Sequence, residues 1–234
     1  PTAKHFDFLG PYNGMKEKFE YFIFDKQSST GKLIQTFLGH SDELDGECWH
    51  TLKDDSMCAL MHCENIKDVW LNNTFTHRMA YNYIDGYRGY QYDLPAWLAL
   101  GYGHVMERRE RTDFNTFLLG EGKKPPLWGS NKWKPAVRKS VEQKKVRPFA
   151  EFAALENTVN VLPEERGVVW SFVSYLIQRD QKKFAAFFSI MKDKKQTESI
   201  YNLQVRALQQ AYGLTLTRYF EDWQAWVLAT YPAM

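Results

Sequence analysis

Residues Leu94–Glu107 read LPAWLALGYGHVME, and just upstream Thr74–Tyr83 read TFTHRMAYNY. The later stretch predicts a helix. Pro95 suits a first turn, Asp93 before it can cap, and Trp97, Leu98, Tyr102, Val105 and Met106 make an inner face. The earlier stretch ends another helix, expected from about Val69 to Tyr83 behind Asp68 as N-cap, with Val69, Trp70, Phe75, Met79 and Tyr83 as its apolar positions.

Working outward from this pair, the texture of the chain changes on each side. Upstream lie short strand-like runs, Phe19–Phe24, Lys32–Phe37 and Ser56–Cys63, separated by the turn-rich clusters Gln27–Gly31 and Ser41–Gly46. Downstream, residues 120–147 are rich in Gly, Pro, Trp and Lys and read as an irregular excursion. Helical patterns then follow at Pro148–Leu155, Glu164–Arg179, Gln181–Lys192, Ser199–Tyr212 and Thr217–Ala229, with Gly213 as a C-cap. Strands first and helices after argue for an α+β chain. The expected organisation is one domain: a strand-rich part over 1–66, two core helices over 67–110, the excursion over 111–147 and a helical part over 148–234.

Composition excludes several classes. Thirty Lys and Arg against 28 Asp and Glu leave a net charge of +2, too balanced for a nucleic-acid or anionic-membrane footprint. No apolar run approaches the ~18 residues of a membrane span. There is no G-x-S-x-G, no phosphate-cradling glycine loop and no C-x-x-C. Cys48, Cys58 and Cys63 fit one disulfide plus a thiol or three reduced thiols equally well.

The two helices together resemble gluzincin-type, peptidase-MA-like zinc metallopeptidases. There one helix carries HExxH, two His a turn apart with the catalytic Glu between them, and a second helix of the pattern L-P-x-W-L-x-E-G supplies a third ligand. Here the second-helix frame stands as Leu94-Pro95-Ala96-Trp97-Leu98 with Gly101. The closing helix with Trp223 and Trp226 is similar to the aromatic end of such domains. The resemblance implies a thermolysin-like fold, with a small mixed N-terminal sheet, the two-helix active-site-like core and a C-terminal helical bundle. It also favours an exported or cell-envelope location.

The departures fall on the chemistry. His77 holds the first ligand position, Arg78 stands for the catalytic Glu, Tyr81 for the second His and Leu100 for the third ligand. Leucine has no donor, and a permanently charged guanidinium repels a divalent ion. The expectation is a catalytically inactive pseudopeptidase without zinc or other cofactor, serving as a binding or scaffolding subunit for a protein partner, for example an extended segment along the cleft. Arg78 would then face a partner's carboxylate, Asp93 or Glu107. Two alternatives remain open. One is a metal-dependent hydrolase with a rearranged His62/His77/His104 site and Glu64 as base. The other is a sugar- or peptide-binding domain using the Tyr-rich segment. Tyr83, Tyr87, Arg88, Tyr90 and Tyr92 form the candidate interaction surface in either binding role, because Tyr and Arg dominate interface hot spots.

Overall fold

The computed structural model describes residues 20–38, 48–52, 56–62, 64, 68–88, 93–113, 115–116 and 132–233. These are mostly helical, and a bundle of helices carries the core. Strands β1 (Glu20–Phe24), β2 (Cys48–Leu52) and β3 (Ser56–His62) line up in the order β1-β3-β2. β2 and β3 are antiparallel with Cys48 opposite Leu60, as a three-residue connection demands. β1 runs parallel to β3 with Glu20 opposite Cys58, which requires a crossover, and helix α1 (Gln27–Leu38) lies in it.

Lys32–Phe37 is therefore helix, not the expected strand. Leu33 and Phe37 fit either pattern, but Leu33, Ile34 and Phe37 together stand at i, i+1 and i+4, one face of a helix. Tertiary contact decides between them here: α1 packs on β1 and β3, and Thr30 is fully buried. Its first N–H, at Gln27, donates to the Glu64 carboxylate at 3.0 Å.

Helix α2 (Asp68–Gly86) and helix α3 (Ala96–Glu110) pack against each other, and α3 packs on its other side against α6 (Arg166–Arg179). Every residue of α3 from Ala96 to Glu107 is buried, so α3 is the axis of the bundle. Asp93 does not cap it. Asp93 is exposed, Pro95 takes the N-cap position with φ −52°, and its carbonyl accepts from Leu98 and Ala99. The Leu94 N–H is instead taken by Asp85 Oδ1 at 3.3 Å.

The predicted excursion contains a helix, α4 (Trp133–Glu142). Lysines and a proline mask its pattern, but Trp133, Val137 and Val141 recur every four residues and are buried. Helix α5 (Phe149–Ala153) and two 3₁₀ turns, Thr158–Asn160 and Pro163–Glu165, lead into α6. Helices α7 (Gln181–Met191), α8 (Ile200–Tyr212) and α9 (Leu216–Thr230) follow close to the predicted bounds. Their caps explain the breaks. Asp180 accepts from the N–H groups of Lys182 and Lys183, Ser199 from Asn202 and Thr215 from Arg218. Gly213, at φ 71°, ends α8 in the left-handed conformation.

Polar side chains tie the layers together. Trp97 Nε1 on α3 donates to Gln204 Oε1 on α8 at 2.7 Å, and Gln204 donates on to the Ala153 carbonyl at 2.8 Å. On α9, Trp223 Nε1 donates to Ser171 Oγ at 2.9 Å, while Trp226 packs its ring against Tyr175.

Asp85 carries a testable electrostatic cost. Burial pushes its carboxyl up to about 6, against the opposing pull of Lys192. The folded state therefore binds the proton more tightly than the unfolded chain, and stability is lost as pH rises from about 4 to about 6. Asp85→Asn keeps an acceptor for Leu94 and removes the charge. We expect it to gain on the order of 2 kcal/mol near neutral pH and nothing near pH 4, read by urea denaturation at the two conditions. An equal gain at both would contradict this cause.

Candidate functional site

On α2, Asn73 and His77 are one turn apart and point the same way, toward α3. On α3, Gly103, His104 and Glu107 occupy one turn facing them. His77 and His104 are 1% exposed and Glu107 is fully buried. The two imidazoles meet edge to face with ring centres 4.6 Å apart. His104 Nδ1 lies 2.5 Å from Glu107 Oε1, and His77 Nδ1 lies 3.4 Å from Glu107 Oε2.

A carboxylate oxygen and an imidazole nitrogen approach to 2.5 Å only with a proton between them. Burial drives His104 toward its neutral form, helped by His77 and Arg166, against the pull of Glu107. Burial would raise Glu107 as well, but the adjacent imidazoles outweigh it and hold the group as carboxylate. The shared proton thus belongs on His104 Nδ1. Glu107 is further fixed by the Thr116 N–H, which donates to Oε2 at 2.9 Å. Asn73 donates to the backbone carbonyls of Glu107 and Arg111, locking α2 to the end of α3. Thr116 is itself buried, as is Asn115, whose Oδ1 accepts from Arg108 Nη1.

His77 differs from its neighbours. Both of its ring nitrogens are buried; Nδ1 makes only the long contact with Glu107, and Nε2 has no hydrogen-bond partner. The ring lies directly on α3 at Gly103, where a Cβ would come within 2.8–3.0 Å of three ring atoms. Two imidazoles and a carboxylate with ligand atoms within 4.8 Å of one another form a donor set that can hold a transition-metal ion.

The other anticipated site residues are scattered. Leu100 sits one turn before His104, sealed in apolar core, and Arg78 is buried. Tyr81 is partly buried against the core. These three cannot complete a zinc site with His77, so the metal centre that the peptidase resemblance implies does not fit here. The backbone places His62 at the end of β3, and its side chain lies outside the described residues. Glu64, expected as a base in the rearranged site, is exposed and bonded to the start of α1. Tyr87, expected on an interaction surface, is buried 5.5 Å from the Phe188 ring, and Tyr83 packs partly buried on the same core. Arg88 is exposed at φ 60°, with its guanidinium 5.3 Å from the Tyr87 ring centre. Tyr90 and Tyr92 lie outside the described residues. Glu107 was the residue missed as a cluster member. Its i, i+3 spacing from His104 was the available signal, but the sequence reading used it only as a partner for Arg78.

A second feature is an open groove of about 390 Å³ between α3, α4 and α6, lined by Arg108, Arg109, Lys134, Trp170, Ser174 and Ile177 among others. Arg108 lies over the rings of Trp133 and Trp170 at 4.4 and 5.2 Å. Arg109 and Lys134 are exposed. The groove therefore joins an apolar floor to a cationic rim.

Comparison with known proteins gives no further constraint: no family model, no curated protein and no solved structure matches this chain.

Proposed function

We propose that this chain is a catalytically inactive, peptidase-like helical domain that binds a protein partner. One observation carries the inactivity: Leu100, where the resemblance puts a third ligand, is sealed in the apolar core, with Arg78 buried in place of the catalytic Glu. A gluzincin-like frame without these groups keeps its packing and loses its means of activating water. The partner surface best supported is the groove between α3, α4 and α6. Its exposed rim of Arg109 and Lys134 suits an acidic segment, and Trp170 and Ile177 suit an apolar anchor within it.

The rival, a hydrolase with displaced ligands, gains from the meeting of His77 and His104, but His77, His104 and Glu107 are all closed off from solvent. A peptide library incubated with the zinc-supplied protein separates the two readings. No cleavage products are expected by mass spectrometry, and cleavage that disappears in His77→Ala would overturn inactivity. Calorimetric titration with a Glu-rich peptide tests the binding half. The expected result is salt-sensitive binding, weakened about tenfold or more by Arg109→Glu with Lys134→Glu. Binding unchanged by that double reversal would exclude the groove.

A further inference from the structure

The geometry points to a transition-metal ion, of the zinc, cobalt or nickel class, bound between α2 and α3 by His77, His104 and Glu107. A hydrogen-bonded His–Glu pair would account for His104 and Glu107 alone. It leaves the far side of His77 unexplained: Nδ1 faces Glu107 Oε2 at 3.4 Å, but Nε2 of this 1%-exposed imidazole has no hydrogen-bond partner. Buried polar groups in native proteins are partnered almost without exception, and an ion supplies the partner that the protein does not.

The backbone is shaped around that ring. Gly103 is the position on α3 that lets the imidazole lie against the helix, because any Cβ there would meet three of its ring atoms. The carboxylate is held in turn by the Thr116 N–H, the outer support that metal ligands characteristically have. The ligand atoms lie within 4.8 Å of one another. Around a tetrahedral ion with bonds of ~2.0–2.2 Å they would stand ~3.3–3.5 Å apart, so side-chain shifts of roughly 1 Å close the site.

Charge and donor type narrow the ion. Arg166, fully buried, acts on His104 as a fixed positive neighbour and opposes any cation. With a single carboxylate, affinity must come from the imidazole nitrogens, which select zinc, cobalt or nickel over calcium and magnesium. Full burial between α2 and α3 makes the ion a clamp between helices. This site stands independently of the partner-binding role proposed above.

The test uses the full chain stripped of metal, then titrated with zinc against a chromophoric chelator, with metal content measured by mass spectrometry. About one zinc per chain is expected, together with a rise in Tm. Cobalt in its place should give the intense visible bands of a four-coordinate site. Glu107→Gln and His77→Gln should lose the stoichiometric ion. Gly103→Ala, which displaces the His77 ring, should weaken binding by about 10–100-fold while far-UV circular dichroism stays native. Wild-type protein that takes up no zinc or cobalt overturns the site whatever the variants do. Zinc retained at full affinity in both ligand variants would overturn this ligand set. The library assay on the zinc-loaded protein keeps the two proposals apart, because bound zinc without cleavage leaves both standing and bound zinc with cleavage removes only the inactivity.

Discussion

Gly101→Ala is expected to destabilise the chain by about 2–4 kcal/mol, a large fraction of the ~5–15 kcal/mol that holds a domain folded. The added Cβ would sit 2.4 Å from the Val169 carbonyl oxygen, 2.9 Å from its carbon and 2.7 Å from Val173 Cγ2. The valine methyl can turn aside. The carbonyl cannot, because it belongs to the backbone of α6, so α3 and α6 must move apart along the centre of the bundle. Interiors packed to crystal density transmit such a shift to every neighbouring contact. Alanine is the better helix former by roughly 1 kcal/mol, which offsets part of the cost and is already included.

Thermal or urea unfolding reads the result directly. A Gly101→Ala protein with wild-type stability would mean that the two helices do not approach this closely in solution. The same substitution two residues later gives an internal comparison. At Gly103 the three nearest atoms to the Cβ all belong to the His77 ring, a side chain that can swing, so a smaller loss is expected there. Two helical glycines a half-turn apart thus serve different ends, one to seat a helix and the other to seat an imidazole.

The same stretch shows how much of the molecule could be read from its residues. The helix over Leu94–Glu107 is legible because Pro95 fixes an entry angle and Trp97, Leu98, Tyr102, Val105 and Met106 follow at helical spacing. Its central place in the bundle was not stated by that pattern. α4 escaped notice for the opposite reason: Trp133, Val137 and Val141 are three apolar positions among lysines, and an amphipathic stripe that narrow looks like loop composition. The Tyr-rich segment misled through chemistry. α2 continues to Gly86, and Tyr87 closes it against Phe188 on α7, a contact just over a hundred residues away in sequence. The cluster was half legible. His77 and His104 each stood out, yet only the pairing of α2 with α3 brings them together. Glu107 begins the run Glu107-Arg108-Arg109-Glu110, which reads as a solvated helix end until Asn115 and Thr116 fold back over it.

Glu107→Ala is expected to cost about 3–5 kcal/mol in metal-free protein, because one side chain satisfies several buried groups at once. Its removal strands the Thr116 N–H and the Nδ1–H of His104, and takes a compensating charge from the half-buried Arg108. Glu107→Gln separates charge from shape. The amide oxygen can still accept from Thr116, and His104 can change tautomer to accept from the amide nitrogen, so about 1–2 kcal/mol is expected. Denaturation curves of the two variants, recorded with chelator present, order these contributions. If alanine and glutamine cost the same, the carboxylate's charge and not its hydrogen bonds holds α2 to α3. If neither costs more than about 0.5 kcal/mol, the cluster is not the closed, dehydrated centre drawn here, since only a solvated carboxylate can be deleted at that level. The expected ordering, alanine well below glutamine, is what a buried network produces when its geometry matters as much as its charge.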